Sequence, residues 1–281
     1  MKLLRYGARG QERPGLLDTN DAVRDLSAHV GDIDGAVLTR EGLDRLRAID
    51  VETLPEIADF ERYGACVGSV GKFICIGLNY SDHAAESDME VPPEPVVFMK
   101  ATSAISGPND PIIQPRGSTK LDWEVELAVV IGAHLAYADE AEAAAGIAGY
   151  CLCNDVSERA FQLERHGQWT KGKGCDSFGP IGPWLVTADE VSDPDNLAMW
   201  LDVNGKRFQD GNSRTMIYKP AFLVSYLSRF MSLQPGDIIS TGTPAGVGLG
   251  QRPPVYLEVG DVVELGIQGL GTQRQIVVAA A

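Results

Sequence analysis

Between residues 122 and 132 the chain reads Asp-Trp-Glu-Val-Glu-Leu-Ala-Val-Val-Ile-Gly, and no other stretch limits its fold as tightly. Asp122, Glu124 and Glu126 alternate with Trp123, Val125 and Leu127. A period of two carried by β-branched and aromatic residues specifies a strand, whose successive side chains face opposite ways. Three carboxylates therefore share a face, with Glu124 and Glu126 about 7 Å apart along the strand. Like charges that close raise one another's pKa unless something positive lies between them. A divalent cation is the simplest such partner, and hard oxygen ligands suit Mg²⁺, Mn²⁺ or Ca²⁺. An isolated E-x-E is more often a solvated strand face, so the rest of the chain has to decide.

With 281 residues, 44% of them hydrophobic, the chain can bury a full core in one large domain or in a small and a larger one. Its 31 glycines and 16 prolines, set among short alternating runs, indicate a β-rich fold with many turns. A net charge of −15 argues against nucleic acid as a partner, because a phosphate backbone calls for a basic surface. Five cysteines without a C-x-x-C pair fit a reducing compartment. Met1–Gly7 has no apolar signal-peptide core, and no run is long enough for a membrane span. The expectation is a soluble cytoplasmic protein.

Residues 1–70 read as a small leading domain, with strand-like pieces at Lys2–Tyr6 and Gly15–Leu17 and an amphipathic helix near Arg40–Ile49. The chemistry-bearing motifs all fall in 71–281. Gly71–Leu78 and Val96–Lys100 read as strands flanking a polar, proline-bounded, lid-like loop over 79–95. A short helix is expected at Ala138–Ile147, a strand at Gly149–Asp155, and helices at Val156–Glu164 and Tyr218–Met231. Turn residues after Gly236 predict a terminal meander to Val278.

Asp155 closes its strand, where the alternatives are a helix N-cap and a third member of a facial carboxylate set with Glu124 and Glu126. Three protein oxygens leave half an octahedron for substrate and water, as Mg²⁺ and Mn²⁺ prefer. His83 and Glu86 are spaced i, i+3, so one helical turn brings a carboxylate beside an imidazole and orients it as a general base. His29, His134 and His166 have no comparable partner. Lys171 and Lys173 lie in a Gly-rich stretch that is either an exposed turn or a cation for an anionic substrate or enolate. Ser240–Gly246 offers hydroxyls and open backbone N–H groups as a carboxylate cradle, without the lysine and spacing of a nucleotide loop.

Together these strings carry a resemblance: G-L-N-Y-S-D-H-A-A-E (77–86), E-P-V-V-F-M-K (94–100), D-W-E-V-E-L (122–127), N-D-V-S-E-R (154–159), K-G-K-G-C-D-S-F-G-P (171–180) and S-T-G-T-P-A-G-V-G (240–248). In order and rough spacing they resemble the fumarylacetoacetate hydrolase family over about residues 70–281. The resemblance implies an α+β, β-rich fold, a mixed β-sandwich roll with a small N-terminal domain, usually assembled as a homodimer. It implies Mg²⁺ or Mn²⁺ on Glu124, Glu126 and Asp155, a water-activating dyad of His83 and Glu86, and Lys173 beside the developing charge. Tyr80, Arg159, Gln162, Lys171, Ser177 and Thr243 fall in the matched strings on the substrate side. Gly174-Cys175 replaces the family's usual Ser-Phe, and Ser177 stands where Thr is common, departures that bear on substrate size rather than on the metal.

The implied reaction is hydrolysis of the C3–C4 bond of a 2,4-dioxo acid to pyruvate and a second acid. The leading domain and Gln168–Lys173 resemble bacterial hydrolases of 2,4-dioxo-3-deoxy sugar acids such as rhamnonate or fuconate, more than generic acylpyruvases. Their hydroxyls would pair with Arg159, Gln162, Lys171, Ser177 and Thr243. Rivals on the same fold are oxaloacetate decarboxylase, ureidoglycolate lyase and dienoate isomerase or hydratase. A non-catalytic, metal-dependent binding protein is the rival of another class, disfavoured because a binder needs the carboxylates but not His83 and Glu86.

Overall fold

A computed structural model describes residues 1–86 and 90–281, so residues 87–89 of the expected lid lie outside the described residues. The body is a ten-stranded mixed sheet. Its order is Glu56–Ile57, Val23–Asp25, Arg13–Leu17, Lys2–Tyr6, Leu185–Thr187, Ile147–Asn154, Val125–Ile131, Ile238–Ser240, Phe73–Gly77 and Val96–Lys100. All neighbours are antiparallel except Ile238–Ser240 beside Phe73–Gly77. A second sheet of five strands runs Lys206–Asn212, Ala198–Val203, Val262–Ile267, Gly271–Ala279 and Ile112–Gln114.

Side-chain alternation builds the layers. Along Val125–Ile131, the residues Val125, Leu127, Val129 and Ile131 join one core with Leu201, Val203, Val263 and Leu265 of the five-stranded sheet. Ala128 and Val130 join a second core on the other face with Ile33, Leu38, Leu43 and Leu46. The sheet is thus buried on both sides, consistent with the β-rich composition and with the sandwich that the family resemblance implies. Alternation also sends Glu126 to the Ala128 side, at the margin of that second core.

The segment before residue 71 covers this second face and extends the same sheet. Lys2–Tyr6 pairs with Leu185–Thr187 through Leu3 and Leu185, so its four strands continue the main sheet. The helix Arg40–Arg47 starts at an N-cap where Thr39 Oγ1 accepts from Gly42 N, and it buries Leu43 and Leu46. Arg62 fastens this segment to the body. It donates to both carboxylate oxygens of Asp110 at 2.8 and 2.9 Å and to Glu12 at 2.8 Å. Burial raises the carboxyls of Asp110 and Glu12, but hydrogen bonds, chiefly from Arg62, outweigh it and hold both below their ordinary range. The sign follows. Groups with depressed folded pKa values stabilise the protein above the ordinary carboxylate range, and that stability is lost as pH falls through it. Arg62→Met is expected to cost roughly 2 kcal/mol at pH 7, between an exposed and a fully buried pair. The deficit relative to the parent should shrink below about pH 4. Denaturant melts at pH 7 and at about pH 2.5, below the ordinary carboxylate range, check this, and a pH-independent deficit would contradict it.

Two elements differ from their sequence reading. The expected terminal meander is a hairpin only over Val262–Ala279, because Ile238–Ser240 inserts between Val125–Ile131 and Phe73–Gly77 in the large sheet. The helix expected from Val156 begins at Arg159, since Ser157–Glu158 first pairs with Leu121–Asp122. Glu158 caps that helix by accepting from Ala160 N, which leaves Asp155 available for other work. Among the described residues no helix is long and apolar enough to cross a membrane.

Candidate active site

Glu124, Glu126 and Asp155 converge at the end of the paired strands Val125–Ile131 and Ile147–Asn154. Each offers a carboxylate oxygen, and these atoms lie within 4.8 Å of one another, all in buried side chains. The backbone makes the meeting: Asp155 N donates to Glu124 O at 2.9 Å, and Asn154 Oδ1 accepts from Glu124 N at 3.1 Å. Glu126 is held separately. Its Oε2 accepts from Ser240 Oγ at 2.6 Å and from Gly242 N at 3.0 Å. The Ser240–Gly246 cradle therefore does bind a carboxylate, and that carboxylate is the protein's own. Gly242 sits at φ +93°, where a side chain is strained, and a Cβ there would lie 2.9 Å from Asn79 Cβ.

Asp122 does not join the set. Strand pairing lapses at Trp123 and Glu124, between Leu121–Asp122 and Val125–Ile131, so the alternation that put three carboxylates on one face does not run through. Asp122 instead accepts from Gly248 N (2.6 Å), Leu249 N (3.0 Å) and Arg159 Nε (2.8 Å). It is a buried anchor for the 246–250 loop.

Three buried cations face the carboxylates. Lys173 Nζ lies 2.6 Å from Glu124 Oε2 and 2.8 Å from Asp155 Oδ2, and Arg159 Nη2 lies 2.6 Å from Glu124 Oε1. Lys100 donates to Asp155 Oδ1 and to Val156 O. The sequence reading passed over Lys100; a charge closing the apolar strand Val96–Lys100 was the signal available. Burial pushes Glu124 up, but Lys173 and Arg159 outweigh it and hold the carboxyl down at about 2. Burial lowers Lys173, but Asp155 and Glu124 more than reverse that, so it stays an ammonium. Glu126 goes the other way: burial, then Asp155 and Glu124, push it well above the carboxylate range. Among the described residues its Oε1 accepts no hydrogen bond. A hard cation on these three oxygens would relieve that like-charge crowding, so the donor set fits one.

On the same cleft, Ser81–Glu86 forms the short helix expected from H-x-x-E. His83 Nδ1 and Glu86 Oε2 are 3.3 Å apart. Glu86 also accepts from Gly246 N at 3.0 and 3.1 Å, so the loop that Asp122 anchors positions the helix as well. Gly250 is required by close approach, because a Cβ there would lie 2.6 Å from Glu86 Cδ. Gly250→Ala should therefore displace Glu86 and lower kcat by roughly 10- to 100-fold, as sub-ångström misplacement does. An unchanged kcat in steady-state assays would rule this positioning out.

The remaining candidates divide. His83, Glu86, Glu124, Glu126, Arg159, Gln162, Lys173 and Thr243 all line one cleft of about 480 Å³. Lys171, Ser177 and Tyr80 are not among its lining residues. Thr170–Lys173 is a short helix rather than a turn, so residues two apart face nearly opposite ways: Lys173 is buried and Lys171 is exposed, donating to Arg165 O. Gly172 lets this helix touch its neighbour, since a Cβ would lie 2.4 Å from Glu158 O. Ser177 Oγ accepts from Ile113 N at 2.8 Å, and the fully buried Tyr80 hydroxyl donates to Met199 Sδ. The cleft is closed instead by residues the sequence reading did not single out: Phe98, Leu163, Trp169, Val247, Leu249 and Pro254.

Residues 72–278 match the family described as fumarylacetoacetate (FAA) hydrolase C-terminal. A protein of Burkholderia multivorans, provisionally named a hydrolase, is 63% identical over the whole of both chains. Fumarylacetoacetate hydrolase from Exiguobacterium antarcticum superposes with a TM-score of 0.87 at 34% identity, covering both chains completely. Maleylpyruvate hydrolase from Sphingobium sp. SYK-6, solved with manganese(II) and pyruvate, superposes with a TM-score of 0.83 at 28% identity, again over both full chains. By profile, identity and fold, the chain belongs to the fumarylacetoacetate hydrolase family.

Proposed function

We propose that the protein is a metal-dependent hydrolase that cleaves the C3–C4 bond of a 2,4-dioxo acid, giving pyruvate and a carboxylic acid. The observation that carries this reading is that Glu124 and Glu126, whose oxygens meet that of Asp155 within 4.8 Å, line the same cleft as the His83–Glu86 pair. Mg²⁺ or Mn²⁺ on the three carboxylates would supply a positive centre for the 1-carboxylate and 2-oxo oxygens. His83, held by Glu86, takes a proton from water as the water oxygen bonds to C4. The C3–C4 bond then breaks, its electron pair forming the enolate of pyruvate. His83 returns the proton to C3, so the sum is substrate plus water. Lys173, a buried ammonium, stabilises the enolate charge. Support for hydrolysis also comes from the Sphingobium relative, a maleylpyruvate hydrolase solved with manganese(II) and pyruvate.

A sugar-acid substrate is not favoured by this site. Its hydroxyls need partners, since a buried unpaired polar group costs about 1–3 kcal/mol. Of the five expected partners, Lys171 and Ser177 do not line the cleft, and Arg159 is occupied by Asp122 and Glu124. Gln162 accepts from Arg159, while Thr243 donates to Val125 O and accepts from Gln209. The test of the reaction is turnover of 2,4-dioxopentanoate in ¹⁸O-water. Equimolar pyruvate and acetate, with ¹⁸O in the acetate carboxyl, are expected. Release of CO₂ from oxaloacetate alone, or isomerisation without water incorporation, would replace the hydrolase reading.

A further inference from the structure

The cleft is lined by two chemically different sets of side chains. The charged set is described above. In the other, Phe98 and Trp169 meet edge to face with ring centroids 5.2 Å apart, and Phe98 adjoins the charged set, with Lys173 Nζ 5.1 Å from its centroid. Gly77 makes room for this wall, because a Cβ there would lie 2.7 Å from the Trp169 ring. Leu163 and Leu249 complete it, yet they are 45% and 38% exposed, among the large hydrophobic side chains left open to solvent. Apolar side chains grouped in a concavity and uncovered in the free protein mark a surface that a ligand covers. Polar side chains that line the same cleft are largely bonded to the protein, as Arg159, Gln162, Thr243 and Gln251 show.

We infer that the apolar wall of the cleft is an acyl subsite for an apolar group, so the preferred substrates are alkyl or aryl 2,4-dioxo acids. The C4 substituent lies against Phe98, Trp169, Leu163 and Leu249 while the dioxo-acid head lies against the charged set. This rests on the proposed hydrolysis for the placement of the head but not for the character of the wall. Each methylene buried there should strengthen binding about fourfold until the cleft is filled.

Two measurements separate this inference from the reaction itself. The first follows kcat/KM along 2,4-dioxopentanoate, 2,4-dioxohexanoate and 2,4-dioxooctanoate, with a 2,4-dioxo-3-deoxy sugar acid for contrast. The second follows Kd by calorimetry for 2-oxoalkanoates from pyruvate to 2-oxooctanoate, in the Mg²⁺-loaded protein, where nothing is cleaved. Both series should improve by about fourfold per methylene over two or three steps. Leu163→Asn and Leu249→Asn, at exposed positions, should flatten both slopes. If no dioxo acid is cleaved but the 2-oxoalkanoates still tighten with length, the hydrolase reading fails and the subsite stands. A Kd indifferent to length, a slope unaltered in both asparagine variants, or better turnover of the sugar acid would overturn the subsite.

Discussion

Dialysis against excess chelator should abolish turnover of 2,4-dioxopentanoate, and Mg²⁺ or Mn²⁺ should restore it. The reason lies in a charge imbalance. Four buried carboxylates, Asp122, Glu124, Glu126 and Asp155, share three buried cations, Lys100, Arg159 and Lys173. Of the four, Glu126 has no ion-pair partner among the described residues, and burial with Asp155 and Glu124 drives it toward its neutral form. Glu126→Gln keeps the shape and removes the charge that a cation would use. It should lower kcat/KM at limiting metal by at least about 100-fold, the upper range for losing even a supporting group at a metal site. Its melting temperature in chelator should be unchanged or higher, because a poorly compensated buried carboxylate is gone. That pairing of lost activity with kept stability distinguishes a ligand from a structural residue. Full activity in excess chelator would remove the metal from the reaction.

Much of this site was legible because strand periodicity and motif spacing are local properties. The strand Val125–Ile131 and the strand ending at Asn154 are close to where alternation put them, and the pairing of Val125 with Asn154 delivers Glu124, Glu126 and Asp155 together. The i, i+3 spacing likewise brought His83 to Glu86. What could not be read is which polar groups are consumed by one another. Arg159, Gln162 and Thr243 look like ligands for a hydroxylated substrate in the sequence; in the fold they satisfy Asp122, Glu124, Gln209 and a backbone carbonyl. Asp122 shows the converse. Its alternation with Glu124 was real in the sequence, but a break of two residues in strand pairing turned it toward backbone N–H groups 126 and 127 residues away. Long-range contacts of that kind leave no local periodicity. The same holds for Leu163, Trp169 and Leu249, which converge on one cleft from three separate segments.

Replacing His83 by Asn should lower kcat for hydrolysis by about 10²- to 10⁴-fold, the usual contribution of a positioned general base. The imidazole lines the same cleft as Glu124 and Glu126, and among the described residues its ring bonds Glu86, not Glu124, Glu126 or Asp155. Metal affinity measured by calorimetry should therefore stay within about twofold of the parent, while hydrolysis collapses. Glu86→Gln should fall between, because an amide can still accept from Gly246 N but no longer carries the charge beside the imidazole. Glu86 also sets the acid limit. Burial raises its carboxyl, but His83 and the Gly246 N–H outweigh that and lower it, so the anion persists through the neutral range. Loss of rate through protonation of Glu86 belongs below the ordinary carboxylate range, and any decline nearer neutrality arises elsewhere. Decarboxylation of oxaloacetate offers an internal control, since it consumes no activated water. If His83→Asn spares a decarboxylation the parent shows and removes only hydrolysis, the imidazole acts on water. If the variant loses the metal and keeps its residual rate, His83 belongs with the ligands and the base must be sought among the other cleft residues.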